Sequence, residues 1–489
     1  MPVSFGSDGY RGVIGHTMTA TQVVRIVLGC TEWIKRHHPD KASRAIPVGF
    51  DTRFLSRDFA MLALDVLESR GQRCVLSGRC CPSPYLSFAT HHLEAPIGIQ
   101  FTASHNPWNY GGVKLKGHFG GSMLPEDVAE IEQFANAVSE SDVDAFHLGR
   151  KSAAPLEFNL EKEYAAAIRR AAGWDGEPSR EIVVDYLHGT AAGIYREILA
   201  QMFSPQSELR MGTDPLFDGD KPEPVEEKLL ELSQIVAYDG KDSIGLAFDG
   251  DGDRCGVVDN EGNEIFSDKV GVMLARDMSA ERPGAQFVVD VKSTGLYRTD
   301  PVLAANGAKT DYWKTGHSYI KRRVSELGAV AGFEKSGHFF FNAPHGRGYD
   351  DGLVTATAIC RMLERNPGKS MADLYRDLPL TFGSPTMSPH CADEEKYDVV
   401  ERVVARFAGM KRNGETLAGE RIESLVTVNG IRVGLSDGSW GLVRASSNKP
   451  ELVVVVESPV SEERKRAVFH AVDAILRENP EVGAYNQSI

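Results

Sequence analysis

The stretch IGIQFTASHNP (97–107) decides how the chain is built. Its first five residues, IGIQF (97–101), read as a short buried strand that stops abruptly at a polar turn. Asn106-Pro107 enforces that turn, because a residue before proline is pushed out of the helical region, and the turn holds Ser104 out of the sheet. Ligands of open α/β sheets collect beyond the carboxyl ends of strands, so a hydroxyl placed there is accessible. Taken alone, Ser104 reads as a turn residue: no G-x-S-x-G elbow surrounds it and no general base stands beside it.

Outward from this strand the chain alternates. Upstream, IPVGFDTR (46–53) is a strand running into a turn, FAMLALDVLES (59–69) has helical spacing closed by Gly71, and RCVLSG (73–78) is a strand. Such alternation favours a parallel sheet with helices packed on it. The pattern restarts near 155 with a helix in LEKEYAAAIRRAAG (160–173), a strand in EIVVDYLHG (181–189), a helix in YREILAQMF (195–203) and a strand in IGLAF (244–248). A third round runs from VGVMLARDM (270–278) through FVVDVKST (287–294), YIKRRVSELG (319–328) and VAGFEKSGH (330–338) to the helical VTATAICRMLE (354–364). After LTFGSPTM (380–387) the grammar changes to helix, strands and a final helix, an α+β module. A chain of 489 residues suggests about three domains on length alone. The pattern sharpens this to an α/β protein of three mixed α/β domains, 1–154, 155–264 and 265–384, plus a C-terminal α+β domain, 385–489.

Lys plus Arg is 54 and Asp plus Glu is 68, a formal net charge of −14 that suits no sequence-independent nucleic-acid binder. The amino-terminal MPVSFGSDGYRGVIG has no basic segment followed by an apolar core, and no apolar run approaches 18 residues, so neither export nor a membrane span is expected. Seven cysteines without paired C-x-x-C spacing read as reduced thiols of a cytoplasmic protein with no zinc site.

Three further motifs carry chemistry. In Asp249-Gly250-Asp251-Gly252-Asp253-Arg254 three carboxylates alternate with glycines, which let the backbone bend until all three converge on one hard divalent cation. An EF-hand is excluded, since Arg254 and Asn260 stand where it needs Gly and Glu, and a dinucleotide loop is excluded because CGVVD (255–259) follows as a strand. Three such carboxylates repel strongly unless neutralised, and as monodentate ligands they leave an octahedral ion open to a phosphate oxygen. In GFEKSGH (332–338), Glu334 and Ser336 suit the hydroxyls of a sugar, while KTGHS (314–318) precedes a helix whose N-terminus favours anions. In RASSNKP (444–450), an Arg at a strand end followed by hydroxyls and an amide forms a fork and nest for phosphate.

In this order, FGSDGYRG (5–12), TASHNP (102–107) with GGVKLKG (111–117), DGDGDR, KTGHSYIK, EKSGH and RASSNKP resemble the α-D-phosphohexomutase superfamily, and most closely its bacterial phosphoglucomutase/phosphomannomutase branch. The resemblance covers nearly the whole chain. It implies four domains around a central cleft, each lending one loop, and a phosphoserine at Ser104. It implies Mg²⁺ held by Asp249, Asp251, Asp253 and a phosphoserine oxygen, with Arg11, Lys114 and Arg254 stabilising the transferring phosphoryl group. Glu334 and Ser336 then grip sugar hydroxyls, Arg444, Ser446, Ser447 and Asn448 hold the non-reacting phosphate, and Lys292, His317 and His338 line the cleft. The implied activity is interconversion of hexose 1- and 6-phosphates (glucose, mannose or both) through a hexose 1,6-bisphosphate, by a monomer or homodimer with a small phosphosugar as its partner. Phosphoglucosamine mutase, a catalytically silent phosphosugar-binding regulator and a metal-dependent phosphatase share enough of these features to stand as alternatives. Two departures are visible: SSNKP (446–450) replaces the S-G-T-E-P common in the family, and Lys335 stands where many relatives carry Glu, Met or Gln.

Overall fold

A computed structural model describes residues 2–6, 9–149, 154–174, 181–240, 243–447, 449–485, 487 and 489. They form two compact units, Met1–Ser267 with Gly337–Ala372, and Asp268–Ser336 with Asp373–Ile489.

The first unit holds two sheets. One runs in the order Tyr10–Val13, Tyr110–Gly117, Ile97–Phe101, Ile46–Phe50, Cys74–Ser77, Glu157–Phe158. The last four strands are mutually parallel, as alternation predicts, with helices Ser56–Ser69 and Ser83–His92 between successive strands. The first half is antiparallel, with Phe101 opposite Val113 and Ile97 opposite Gly117. The reason is local: the turn after Phe101 is too short for a crossover helix, so the chain returns as a hairpin and the sheet is mixed. Ser104 therefore sits in a hairpin loop, and Lys114 lies on the return strand opposite Gln100.

The second sheet has the order Glu264–Ile265, Cys255–Val258, Gly245–Phe248, Glu181–Asp185, Ser204–Leu209. Gly245–Phe248 and Cys255–Val258 pair antiparallel, Cys255 opposite Phe248, so residues 249–254 form the loop of a second hairpin. Both strands are almost wholly buried, which carries their connecting loop into the protein with them.

In the second unit, Lys309–Trp313, Gln286–Asp290 and Ala331–Phe333 form a parallel array, with helix His317–Leu327 as the connection from Trp313 to Ala331. The C-terminal sheet, Phe382–Gly383, Leu452–Ser458, Trp440–Ala445, Ile431–Leu435, Glu420–Val426, Thr416–Leu417, is antiparallel throughout. Helices Lys396–Asn413 and Glu462–Leu476 cover it, burying Val399, Val403, Phe407 and Met410 from one and Val468, Val472 and Leu476 from the other. These positions recur every three or four residues, so each helix presents a single apolar face, at about 1.5–3 kcal/mol per fully buried large side chain. Among the described residues no helix is long and apolar enough to cross a membrane. All seven cysteines are free thiols and all but Cys80 are buried.

One polar cluster ties the second unit together. Glu457, on strand Leu452–Ser458, accepts from Gly295 N (2.7 Å), Thr294 Oγ1 (3.0 Å), Trp440 Nε1 (3.0 Å) and Lys269 Nζ (3.2 Å). Burial alone would raise its pKa, but Lys269 and the N–H and O–H donors outweigh it and hold the carboxyl at about 2. Beside it the buried Arg432 lies between the rings of Trp440 and Tyr312, 3.5 and 4.1 Å from their centroids, and donates to the carbonyls of Val291 and Ser293. Glu457→Ala leaves Lys269 buried without its counter-charge, and is expected to cost about 3–5 kcal/mol in denaturant unfolding. Because the folded pKa lies below the ordinary 4.5, the contribution of Glu457 is present above that pH and fades as the pH falls towards 2. Wild type and variant should accordingly converge in stability only in strong acid.

Candidate active site

In the first unit the two hairpin loops meet. Ser104 is fully buried at the backbone turn and has φ 52, a left-handed conformation disfavoured for any residue with a side chain. Its N–H is held by Thr102 Oγ1 at 2.9 Å, and its hydroxyl donates to Asp249 Oδ2 at 3.1 Å. Approach this close requires glycine at 250: a Cβ there would lie 2.6 Å from the Ser104 carbonyl oxygen.

Asp249, Asp251 and Asp253 converge as the spacing predicts, each offering an oxygen within 4.8 Å of the others, all buried. Lys114 Nζ lies 2.9 Å from Asp251 Oδ2 and 2.7 Å from Asp253 Oδ2, and Arg254 Nε lies 3.1 Å from Asp249 Oδ2. Burial, followed by the charge of Asp253, pushes Asp249 up to about 7 even with Arg254 beside it. Asp253 Oδ1 is buried and accepts no hydrogen bond, which together with the all-carboxylate donor set fits a hard divalent ion. Arg11 Nη1 donates to Asn106 Oδ1, in the serine loop, at 3.0 Å.

Several members of this cluster were not legible as such. His338 lies beside the carboxylate triad: its Nδ1 is 3.0 Å from Asp350 Oδ2 and 3.7 Å from Asp253 Oδ1. Burial would lower its pKa, but these two carboxylates outweigh burial and raise it. Ser83 donates its hydroxyl to Asp251 Oδ2 at 2.5 Å and its N–H to the Asp251 carbonyl at 2.9 Å. Tyr195 Oη donates to the Gly252 carbonyl at 2.8 Å. His105 Nδ1 lies 3.4 Å from Ser104 Oγ, and burial followed by the charges of Arg254 and Arg11 keeps its pKa well below the ordinary value. His338 stood out in sequence within EKSGH, and His105 by adjoining the serine; Ser83, Tyr195 and Asp350 reach the loop from distant segments.

The second unit gathers the other predicted residues. Glu334 is buried, accepts from Gly316 N at 2.6 Å through Oε1 and receives Ser336 Oγ at 3.4 Å through Oε2. Its carboxylate therefore takes the helix N-terminus at His317 that the sequence suggested for an anion, satisfying a backbone donor there. Lys292 Nζ lies 3.7 Å from Asp290 Oδ2, and burial, with Arg444 nearby, lowers its pKa. Arg444 is buried at the end of strand Trp440–Ala445, its pKa lowered by burial against the pull of Asp290 and Glu334, and its Nη1 donates to the Ala445 carbonyl. Ser446 N donates to the Glu451 carbonyl at 3.0 Å, Ser447 is exposed, and Asn448 lies outside the described residues. His317 Nδ1 faces Lys321 Nζ at 3.1 Å on its own helix. The added charge of Lys449 has Glu451 Oε1 4.0 Å away and is otherwise largely exposed.

Two polar clusters of this kind, a serine over a carboxylate triad and a cationic pocket beside a buried Glu, suit phosphoryl transfer on a polyhydroxylated substrate. Four segments match the domains of one family. Residues 2–142, 162–262 and 266–382 match alpha/beta/alpha domains I, II and III of phosphoglucomutase/phosphomannomutase, and 390–475 match its C-terminal domain. The phosphomannomutase/phosphoglucomutase of Pseudomonas syringae pv. tomato is 30% identical over 477 residues, 96% of this chain and 94% of that protein. The phosphoglucomutase of Neisseria gonorrhoeae is 27% identical, covering 97% of each chain. A crystal structure of a phosphoglucomutase/phosphomannomutase family protein from Burkholderia thailandensis superposes with a TM-score of 0.79 at 27% identity, again over 97% of each chain. The chain belongs to the phosphoglucomutase/phosphomannomutase family.

If the triad is the cation site, Mg²⁺ at a hundredfold excess over its Kd should stabilise the wild type by about 2.7 kcal/mol, seen as a higher melting temperature. Asp253→Asn should largely remove that rise, and an undiminished rise in the variant would take Asp253 out of the ligand set.

Proposed function

We propose that this enzyme, an isomerase, interconverts hexose 1-phosphates and hexose 6-phosphates, with Ser104 carrying the phosphoryl group between them. The observation that carries the reading is the buried Ser104 hydroxyl, wound into a left-handed turn and set 3.1 Å from one of three converging carboxylates. Asp249, Asp251 and Asp253 would hold Mg²⁺, which when bound supplies charge neutralisation to the phosphoryl oxygens. Lys114, Arg254 and Arg11 supply further positive charge, which suits a loose transition state governed by positioning and electrostatics.

In the first half-reaction the bond from Ser104 Oγ to phosphorus breaks as one forms to the free hydroxyl of the hexose phosphate. Overall a proton passes from that hydroxyl to Oγ, and the product is a hexose 1,6-bisphosphate. The second half-reaction reverses these changes at the other end of the sugar. His105, kept neutral beside Oγ, is placed to accept the serine proton as the phosphoryl group returns. Glu334 and Ser336 hold sugar hydroxyls, while Arg444, Ser446, Ser447 and Asn448, with Lys292, hold the phosphate that is not reacting. A pocket that reads charge rather than ring orientation accepts either end of the intermediate, as the chemistry requires. His317 and His338 complete the substrate contacts. We assign these tasks to four segments: 1–154 carries the phosphoserine, 155–264 the metal, 265–384 the sugar site and 385–489 the phosphate site.

Ser104→Ala is expected to lower kcat by at least about 10³-fold with glucose or mannose 1-phosphate and added bisphosphate. Intact-mass analysis should find one phosphoryl group on the wild type and none on the variant. Full activity of the variant would end this reading. Glucose, mannose and glucosamine phosphates assayed side by side identify the hexose, and phosphate release outpacing isomerisation would instead mark a phosphatase.

A further inference from the structure

Arg53 has no part in the roles above, yet its side chain is fully buried and its four Nη hydrogens all reach backbone carbonyls, while Nε makes no hydrogen bond and is paired only by charge. Nη2 donates to the carbonyls of Ser104 and Asn106, both at 2.6 Å. Nη1 donates to those of Pro107 at 2.7 Å and Tyr110 at 3.1 Å. Nε faces Asp51 Oδ2 at 3.1 Å, and Asp51 Oδ1 is itself fixed by Arg53 N and Ser56 Oγ. The ring of Phe217 lies against the guanidinium, its centroid 4.9 Å from Cζ.

Three of the four gripped carbonyls belong to the serine loop, and the fourth, of Tyr110, opens the return strand. They converge because the chain winds tightly there, with Ser104 at φ 52 and Asn106 N bonded to the Ala103 carbonyl. Carbonyl oxygens pointing at one spot repel one another, and a left-handed turn at serine relaxes unless its surroundings fix it. A planar cation with donors in two directions opposes both tendencies at once. Asp51 and Arg53 are well placed for this, since they follow strand Ile46–Phe50, the parallel neighbour of Ile97–Phe101, and Asp51 N bonds to the Phe101 carbonyl.

We propose that Arg53 is a positioning residue for phosphoryl transfer: it clamps the serine loop so that Ser104 Oγ is held towards Asp249 and in line with the incoming group. The proposal rests on the reading of Ser104 as the phosphoryl carrier. Arg53 touches no substrate in this role. The clamp bears on the metal loop too, because the Ser104 carbonyl that accepts from Nη2 is the atom against which Gly250 packs.

The test compares wild type, Arg53→Lys and Arg53→Ala in glucose 1-phosphate turnover with added glucose 1,6-bisphosphate. Lysine keeps the charge but has three donors and no fork, so R53K should lose about 30–100-fold in kcat, the scale of a misplaced reacting atom. KM should stay within about threefold, because the sugar and phosphate ligands are untouched. The rate at which bisphosphate labels Ser104, followed by intact mass, should fall in step with kcat. In R53A, about 10 mM guanidinium should restore part of kcat where the same concentration of ammonium does not, a rescue that depends on the fork itself. If R53A does not fold, the labelling rate of folded R53K decides. Wild-type kcat in R53K, a KM rise that accounts for the whole loss, or equal rescue by ammonium would each overturn the clamp. Failure of the wild type to label at all strikes the phosphoserine reading instead, so the two failures are distinguishable.

Discussion

Three carboxylates cannot share a buried loop unless something answers their charge, and much of the first unit is arranged around that demand. Asp249, Asp251 and Asp253 sit in a hairpin whose strands are too buried to leave the loop in water, so the compensation is drawn from elsewhere in the chain. Lys114 arrives from the other sheet, Arg254 from the loop itself, and His338 from a segment more than eighty residues downstream. Ser83 and Tyr195 fix the backbone between them. The same bonds that keep the loop from flying apart also fasten one sheet to the other.

The second unit answers a related problem with the opposite sign. Lys292 and Arg444 share their surroundings with Asp290 and Glu334, and burial works against both cations there. Guanidinium and ammonium groups kept short of solvent interact more strongly with any charge near them. Elsewhere in this unit, Glu457 and Arg432 join its sheets through polar contacts.

Much of this was legible in the chain. The strand IGIQF, the strands flanking DGDGDR and the helices of the C-terminal module lie where periodicity placed them, because burial imposes its period on local sequence. The antiparallel return through Tyr110–Gly117 escaped, since GGVKLKG carries two lysines and three glycines and resembles a loop more than a buried strand. Lys114 is buried where another segment brings Asp251 and Asp253 to it, which no window on the local sequence can contain. The site divided the same way: loops with dense chemistry announced themselves, whereas Arg53, Ser83, Tyr195 and Asp350 act across distances of tens to hundreds of residues.

The ammonium of Lys114, bridging Asp251 and Asp253, has one more consequence. Without any ion the loop already possesses an internal counter-ion, tethered to a rigid strand. A second cation entering here would exchange places with the first rather than order a disordered acidic loop. A loop that carries its own counter-ion keeps its shape without borrowing charge from solvent.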